Sequence, residues 1–146
     1  MSSKVRHVGI VVKDLEASYQ FYKKYFGFTE DKRAIEKGSF IDSLLGYENI
    51  QVTTLKMLDQ SKEHCLELLA FDNPSLEKCK TNHFCRQGIT HIALTVKNID
   101  HLYEQLRDIV SFINEPSIST DGFAKVAFFK GMDDELIELV EELEQS

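Results

Sequence analysis

Apolar residues follow the same order in the two halves of the chain. Residues 5–12 and 89–96 are rich in branched side chains, which is typical of strands buried on both faces. Apolar residues then recur at helical spacing through 15–26 and 99–110. Each half is therefore predicted to begin with a strand that leads into an amphipathic helix.

The ends of these helices carry recognisable capping residues. Asp14 and Asn98 directly follow the two strands, and their side chains can accept a hydrogen bond from the first free amides of a helix. Gly27 follows the first helical segment and is the residue type that most often ends a helix. We therefore expect helices that start at these caps, the first of them stopping at Gly27.

Three further apolar segments follow each helix. They predict strands at 28–35, 50–57 and 65–71 in the first half and at 112–114, 124–129 and 136–140 in the second. A short helix is expected at 40–45, ending at Gly46. The pattern is βαβββ twice. We expect an α+β fold with two curved, mostly antiparallel sheets, helices outside and a shared concave face inside.

The two halves also repeat a sequence motif. Residues 7–19 and 91–103 both begin with a histidine, continue with apolar residues to Val-Lys, and then place an Asp or Asn before the helix. Residues 72–88 contain Asn-Pro and mixed polar residues, as connectors do. The 146-residue chain is thus predicted to be one domain with modules at 1–71 and 89–146.

One polar residue interrupts an otherwise apolar strand face at four places. Because side chains alternate across a strand, His7 shares a face with Gly9 and Val11, and His91 starts the matching strand of the second half. Glu67 and Glu138 occupy the middle of the last strand of each half, in Cys-Leu-Glu-Leu-Leu and Leu-Ile-Glu-Leu-Val. A buried carboxylate without a partner is costly, so a cation is expected beside them.

These four residues suit one divalent metal ion. Two imidazoles and two carboxylates around such an ion form a neutral site of nitrogen and oxygen donors with positions open to water or substrate. Taken singly, each histidine is more typical of a surface or hydrogen-bonded residue, and each glutamate of a solvent-facing one. Their matched positions in two repeats favour a metal site formed by His7, Glu67, His91 and Glu138.

The other histidines and the cysteines are interpreted as structural or exposed. His64 is predicted on the opposite strand face from Glu67, while His83 and His101 fall in the connector and on a polar helix face. Cys79 and Cys85 lack the close spacing of zinc ligands and are expected to be free thiols. Cys65 is expected to be a small buried thiol near the site.

Composition excludes several classes of partner. The net charge is -7 with no basic block, so nucleic acid is not expected to bind. No apolar run is long enough to cross a bilayer, and the N-terminus lacks the apolar stretch of a signal peptide. Three cysteines without a Cys-x-x-Cys pair favour a reducing compartment, so we expect a cytoplasmic protein that acts on a small molecule.

The motifs His-Val-Gly-Ile-Val-Val-Lys-Asp-Leu, Leu-Glu-Leu-Leu, Thr-His-Ile-Ala-Leu-Thr-Val and Leu-Ile-Glu-Leu-Val-Glu resemble those of the vicinal oxygen chelate superfamily. The likeness covers essentially the whole chain. That superfamily includes glyoxalase I (lactoylglutathione lyase), methylmalonyl-CoA epimerase, extradiol dioxygenases, fosfomycin-resistance enzymes and antibiotic-binding proteins. The resemblance implies a metal-dependent lyase or isomerase holding one divalent ion (Zn, Ni, Co, Mn or Fe).

Within the superfamily, the four-residue set is similar to that of glyoxalase I or the epimerase. Extradiol dioxygenases use two histidines and one glutamate, so Glu67 argues against them, and antibiotic-binding members generally lack the metal ligands. Glutathione-using members carry an arginine and an asparagine where this chain has Val11 and Phe71. The resemblance therefore does not extend to the glutathione-binding residues.

The reaction implied is proton abstraction next to a carbonyl, with a metal-stabilised enediolate and with Glu138, Glu67 or a metal-bound water as the base. A glyoxalase I-like enzyme for a small carbonyl substrate is the first hypothesis. An epimerase-like racemase and a non-catalytic, metal-containing binding protein are the alternatives. We expect a homodimer, with the site either within one chain or shared across the dimer.

Overall fold

The computed structural model describes residues 1–77 and 83–144. The chain divides into two compact units, Met1–Lys78 and Cys79–Ser146. Each unit contains one sheet with helix packed on it, so the prediction of an α+β fold with mostly antiparallel sheets is confirmed. The connector residues 78–82, including Cys79, lie outside the described residues.

The first unit contains four strands and two helices. In chain order these are β1 (Val8–Val11), α1 (Leu15–Phe26), β2 (Thr29–Lys37), α2 (Ser39–Leu45), β3 (Gln51–Leu58) and β4 (Cys65–Asn73). The sheet order is β1-β4-β3-β2. β1 pairs with β4 in parallel, and the other pairs are antiparallel, which leaves β4 in the interior of the sheet.

The second unit repeats this arrangement with one helix. Its elements are β5 (His91–Thr95), α3 (Ile99–Leu106), β6 (Ser111–Phe112), β7 (Ser117–Ile118), β8 (Ala124–Lys130) and β9 (Leu136–Glu142). The strand order is β5-β9-β8-β6, and β7 also pairs with β8. β5 and β9 are parallel, so β9 occupies the interior position that β4 holds in the first unit.

Polar side chains fix the start of both long helices. The Asp14 carboxylate accepts a hydrogen bond from the Ala17 amide, and the Asn98 side chain accepts one from the His101 amide. Glu141 on β9 adds a second cap, because its carboxylate accepts the amides of Asn98 and Ile99 at 2.9 Å each. The start of α3 is therefore attached to the strand that carries Glu138.

The apolar core of each unit lies between the sheet and its long helix. α1 packs against β4, whose inner face carries Leu66 and Leu68 opposite Met57 and Leu55 of β3. In the second unit α3 packs against β8 and β9. The residues fully buried there include Ala127, Phe129, Ile137 and Leu139. The histidine and glutamate residues lie on the opposite face of each sheet, which in the first unit also carries a smaller apolar cluster of Val52, Leu69 and Phe71 packed with Ile41 of α2.

The prediction that residues 5–12 and 89–96 form strands buried on both faces was wrong. β1 and β5 are edge strands, shorter than expected, and Val11 is 50% and Ile89 80% exposed. Each edge strand rests on its helix with one face only. This explains why Val12 is fully buried beside an exposed Val11.

Other boundaries also differ from the sequence pattern. α3 ends at Leu106 rather than Val110, because the Leu106 carbonyl accepts both the Ile109 and the Val110 amides and so closes a tight turn. β7 was not predicted, since Ser117–Ile118 is too short to show alternation. Across the described ranges, none of the helices has both the length and the apolar character needed to cross a membrane.

We predict that Leu68→Ala lowers the free energy of unfolding by about 2–5 kcal/mol, because it empties part of the core between β4 and α1. Leu68 is fully buried, whereas Leu44 on α2 is 64% exposed. Leu44→Ala is the matched control and is expected to change stability by about 0.5 kcal/mol or less. Urea denaturation followed by circular dichroism measures both, and equal effects of the two changes contradict the assigned core.

Candidate metal centre

His7 and Glu67 meet on the sheet face that points away from α1. Glu67 lies opposite Gly9 in the parallel β1–β4 ladder, and His7 precedes β1 two residues before that glycine. His7 Nε2 lies 2.9 Å from Glu67 Oε2. The carboxylate belongs to an interior strand, so its side chain is only 11% exposed, compared with 35% for the imidazole.

His91 and Glu138 form the same pair in the second unit. Ala93 lies opposite Glu138 in the parallel β5–β9 ladder, and His91 is again two residues before it. His91 Nε2 lies 3.2 Å from Glu138 Oε2, and the side chains are 34% and 21% exposed. The repeat in the sequence thus becomes a repeated local geometry, in which parallel pairing places an imidazole beside a carboxylate.

The surroundings of Glu67 fit a cation. The residue is one of the few buried polar residues of the described chain, at 9% exposure. Its Oε2 faces His7, and no described residue donates a hydrogen bond to its second oxygen, Oε1. A desolvated carboxylate with an unsatisfied oxygen is costly unless a cation or a donor completes it. An imidazole nitrogen and a carboxylate oxygen are ordinary ligands of divalent transition metals.

Each unit on its own contributes two such side chains. No group of three or more His, Cys, Asp or Glu residues suited to a metal ion occurs among the residues that the structure describes. His64 instead pairs with Asp59 at 3.0 Å and is 76% exposed, while His83 and His101 are exposed. The structure therefore brings His7 to Glu67 and His91 to Glu138.

Two neighbouring side chains contact the imidazole of His91 and fix its orientation. The Thr90 hydroxyl lies 2.8 Å from His91 Nδ1, and the Phe128 ring packs edge-on against the imidazole at a centroid distance of 5.2 Å. When the imidazole donates Nδ1–H to that hydroxyl, the lone pair of Nε2 is available to a metal. Phe84 packs on the other side of Phe128 with a centroid distance of 4.9 Å. The surroundings of His91 in the second unit are therefore largely apolar.

The neighbours of Glu67 are more polar. Lys56 on β3 lies opposite Glu67, in the register position that Phe128 has beside Glu138. Cys65 lies two residues before Glu67 and is half-buried. Burial raises the pKa of the Cys65 thiol, the negative charge of Glu67 raises it further, and Lys56 opposes the increase. The thiol is thus a neutral, poorly nucleophilic neighbour of the centre.

Sequence reasoning missed Thr90, Phe128 and Lys56. Thr90 was visible only as the residue before His91. The other two become neighbours of a glutamate through antiparallel pairing, which depends on the register of β3 with β4 and of β8 with β9. The similar spacing was a usable signal, because Lys56 lies 11 residues before Glu67 and Phe128 lies 10 residues before Glu138, each across a short hairpin.

Comparison with known proteins points to one family. The family model described as the Glyoxalase/Bleomycin resistance protein/Dioxygenase superfamily matches residues 4–139, a range that contains all four candidate ligands. No curated protein sequence matches the chain.

Solved structures show the same fold. A glyoxalase family protein from Bacillus cereus has a TM-score of 0.86 at 22% identity, with 97% of each chain covered. The fosfomycin resistance protein FosX from Listeria monocytogenes, in complex with Mn(II) and sulfate, has a TM-score of 0.62 at 17% identity, covering 98% of this chain and 95% of that one. A glyoxalase family protein from Enterococcus faecalis has a TM-score of 0.66 at 19% identity, with coverages of 94% and 97%.

We predict that, in protein freed of metal with EDTA, iodoacetamide alkylates Cys85 several times faster than Cys65 at pH 8. Cys85 is exposed, whereas Cys65 is half-buried with a raised pKa and so holds a smaller thiolate fraction at a given pH. The rate of Cys65 alkylation should keep increasing as the pH is raised above about 8.5, the ordinary pKa of a cysteine thiol. Peptide mass spectrometry resolves the two sites, and faster alkylation of Cys65 contradicts the prediction.

Proposed function

Because the chain belongs to the Glyoxalase/Bleomycin resistance protein/Dioxygenase superfamily, we propose that it is a metal-dependent isomerase or lyase for a small carbonyl substrate with two adjacent oxygens. The observation that carries the proposal is the repeated imidazole–carboxylate pair, His7 with Glu67 and His91 with Glu138. A binding module without a metal would not need a carboxylate on an interior strand in each unit.

The four side chains are the proposed ligands of one divalent ion. Each pair supplies one nitrogen and one oxygen, and two pairs together supply the two imidazoles and two carboxylates that hold a catalytic metal while leaving positions for a substrate. Their charges sum to that of two carboxylates, which balances a divalent cation. The fold likeness to FosX, whose structure holds Mn(II), makes Mn(II) the first ion to test.

A bound divalent ion supplies Lewis-acid stabilisation of the negative charge that develops on the substrate oxygens. The protein supplies the base. We assign this role to Glu138, because its side chain is 21% exposed, compared with 11% for Glu67, and it is therefore the more accessible carboxylate. Released transiently from its proposed place as a ligand, Glu138 takes the proton from the carbon next to the carbonyl and returns it to the neighbouring carbon.

The surroundings of Glu138 suit this task. Ala93 and Phe128 are its neighbours on the two adjacent strands, so no cationic side chain lies beside it in the ladder. Thr90 and Phe128 fix the orientation of His91, and ligand orientation by such neighbours typically affects metal affinity or activity by about 10–100-fold. The Phe128 ring, which also packs on Phe84, is an apolar neighbour of the base.

The first test measures metal binding. Each of His7→Gln, Glu67→Gln, His91→Gln and Glu138→Gln should weaken Mn(II) affinity by about 100-fold, because each removes one of four ligands. His83→Gln and Glu63→Gln change exposed residues and should leave the affinity unchanged. Isothermal titration calorimetry measures the affinity. Wild-type affinity in any of the four ligand variants excludes that residue from the site.

The second test measures proton exchange. Metal-restored protein in D₂O is incubated with a methylglyoxal hemithioacetal and, separately, with an acyl-CoA, and deuterium incorporation is followed by NMR. At saturating Mn(II), Glu138→Gln should slow exchange by about 10²–10⁴-fold, as loss of a general base does, and Glu67→Gln should slow it less. Undiminished exchange in Glu138→Gln overturns the assignment of the base.

Two outcomes select the other functions considered. Exchange on the acyl-CoA alone identifies an epimerase-like racemase. Val11 and Phe71, at the positions of the glutathione-binding residues, agree with a substrate other than a glutathione adduct. If the protein binds the metal tightly but catalyses no deuterium exchange on either compound, the proposed enzymatic activity is contradicted. This outcome identifies a metal-containing binding protein.

We also propose that the protein is a homodimer, since one chain can supply His7 and Glu67 to a centre completed by His91 and Glu138 of another. Light scattering measures the mass of the particle. A mixing experiment tests whether the centre is shared between two chains. The His7→Gln and His91→Gln chains are unfolded, mixed and refolded together. If the centre is shared, one of the two centres in a mixed dimer contains both native histidines, so about half of the sites regain wild-type Mn(II) affinity. A monomer by light scattering contradicts the dimer.

A further inference from the structure

We propose that Lys56 binds a carboxylate of the substrate, so that the protein acts on a small carbonyl compound carrying a carboxylate. This inference rests on the proposed function, because it places Lys56 beside the proposed metal centre. It assigns a specificity-determining residue that no feature of the sequence motif marks.

The position of Lys56 follows from the sheet register. Lys56 on β3 lies directly opposite Glu67 on β4, and directly opposite residues of an antiparallel pair share one face of the sheet. That face is the one opposite α1, since the alternate residues of β3, Leu55 and Met57, are fully buried. The ammonium therefore projects from the same surface as the His7–Glu67 pair.

The ammonium of Lys56 has carboxylates in its region but no direct partner among the described residues. Among the described residues, none forms an ion pair or hydrogen bond with its ammonium, although the side chain is half-buried. Its neighbour on the other side is Lys32 on β2, so two like charges lie directly opposite each other. Such pairs destabilise a sheet unless an anion is placed between or beside them.

The repeat shows that a cation is not a requirement of the scaffold at this place. Phe128 holds the equivalent position opposite Glu138 and packs on His91. A lysine beside a proposed metal centre costs free energy when the divalent ion binds, because like charges repel. An anionic group on the substrate removes this cost. The two units therefore differ at this place, since one presents a cation beside its histidine–glutamate pair and the other presents an aromatic ring.

A purely structural role for Lys56 would be to balance the charge of Glu67 or of Asp31 on β2. Both carboxylates influence Cys65, so both lie in this region. Neither is paired with the ammonium, and Glu67 already faces the imidazole of His7 at 2.9 Å. Substrate binding is thus the better account of the unpaired charge, and the two accounts differ in how Lys56→Met affects ligand preference.

The experiment uses two hydroxamates of equal length, one ending in a carboxylate and the other in a primary amide. The hydroxamate presents two adjacent oxygens in both compounds. Calorimetry on the Mn(II)-loaded full-length protein should show that the carboxylate compound binds about tenfold more tightly, which corresponds to about 1.4 kcal/mol. Lys56→Met should abolish this preference while leaving the affinity for the amide unchanged.

Lys37→Met is the matched control. Lys37 is an exposed lysine of β2 whose side chain is on the opposite face, because its parity along the strand is that of Arg33 and not of Lys32. The Lys37→Met substitution removes the same net charge as Lys56→Met, and this variant should still bind the carboxylate compound about tenfold more tightly than the amide. Loss of the preference in both variants shows a general effect of net charge and overturns the assignment to Lys56.

A direct readout comes from NMR of protein whose lysines are reductively ¹³C-methylated. The Lys56 methyl signal, identified by its absence in Lys56→Met, should shift with the carboxylate compound and not with the amide. If both hydroxamates bind equally and Lys56→Met binds as wild type does, the inference about Lys56 is wrong while the metal centre stands. If neither binds to wild type, the proposed function fails, and the inference fails with it.

Discussion

A desolvated carboxylate beside an imidazole is the interaction on which the rest of the structure depends. Glu67 and Glu138 lie on the interior strands β4 and β9, where water is largely excluded. Such a group is tolerated only where a partner offsets the loss of hydration. The parallel pairing of the first and last strands of each unit supplies that partner, because it places a histidine at the start of the edge strand next to the glutamate. The connections and caps of each unit preserve this pairing.

The long helices α1 and α3 pack on the sheet face opposite the glutamate–histidine pair. In the second unit the helix and the pair are coupled directly, since Glu141 caps α3 while Glu138, on the same strand, faces His91. A shift of β9 by one residue would break the cap and turn Glu138 toward the core, because alternate residues occupy opposite faces. The stability of the sheet and the geometry of the imidazole–carboxylate pair thus depend on the same register, and selection for a folded sheet also maintains the pair.

The two units have the same strand arrangement, but different residues surround the histidine–glutamate pair in each. The place opposite the glutamate is Lys56 in one unit and Phe128 in the other, and the residue before the histidine is Arg6 in one and Thr90 in the other. Repetition therefore accounts for the two imidazole–carboxylate pairs, while the residues beside each pair differ between the units. Residues beside the pair can differ in this way because a change at one strand position leaves the imidazole–carboxylate pair of that unit in place.

The sequence by itself determined the α+β class, the order of the elements apart from β7, the caps at Asp14 and Asn98, and the four residues that form the two imidazole–carboxylate pairs. These follow from periodicity and local hydrogen bonding, which neighbours along the chain decide. Tertiary structure alone decided that β1 and β5 are half-exposed edge strands, that α3 stops at Leu106, and that Lys56 and Phe128 are the neighbours of Glu67 and Glu138. The physical reason is that burial and cross-strand contact depend on which strands pair and in which register. That register is set jointly by residues that are distant in sequence, so it cannot be predicted from any local sequence pattern.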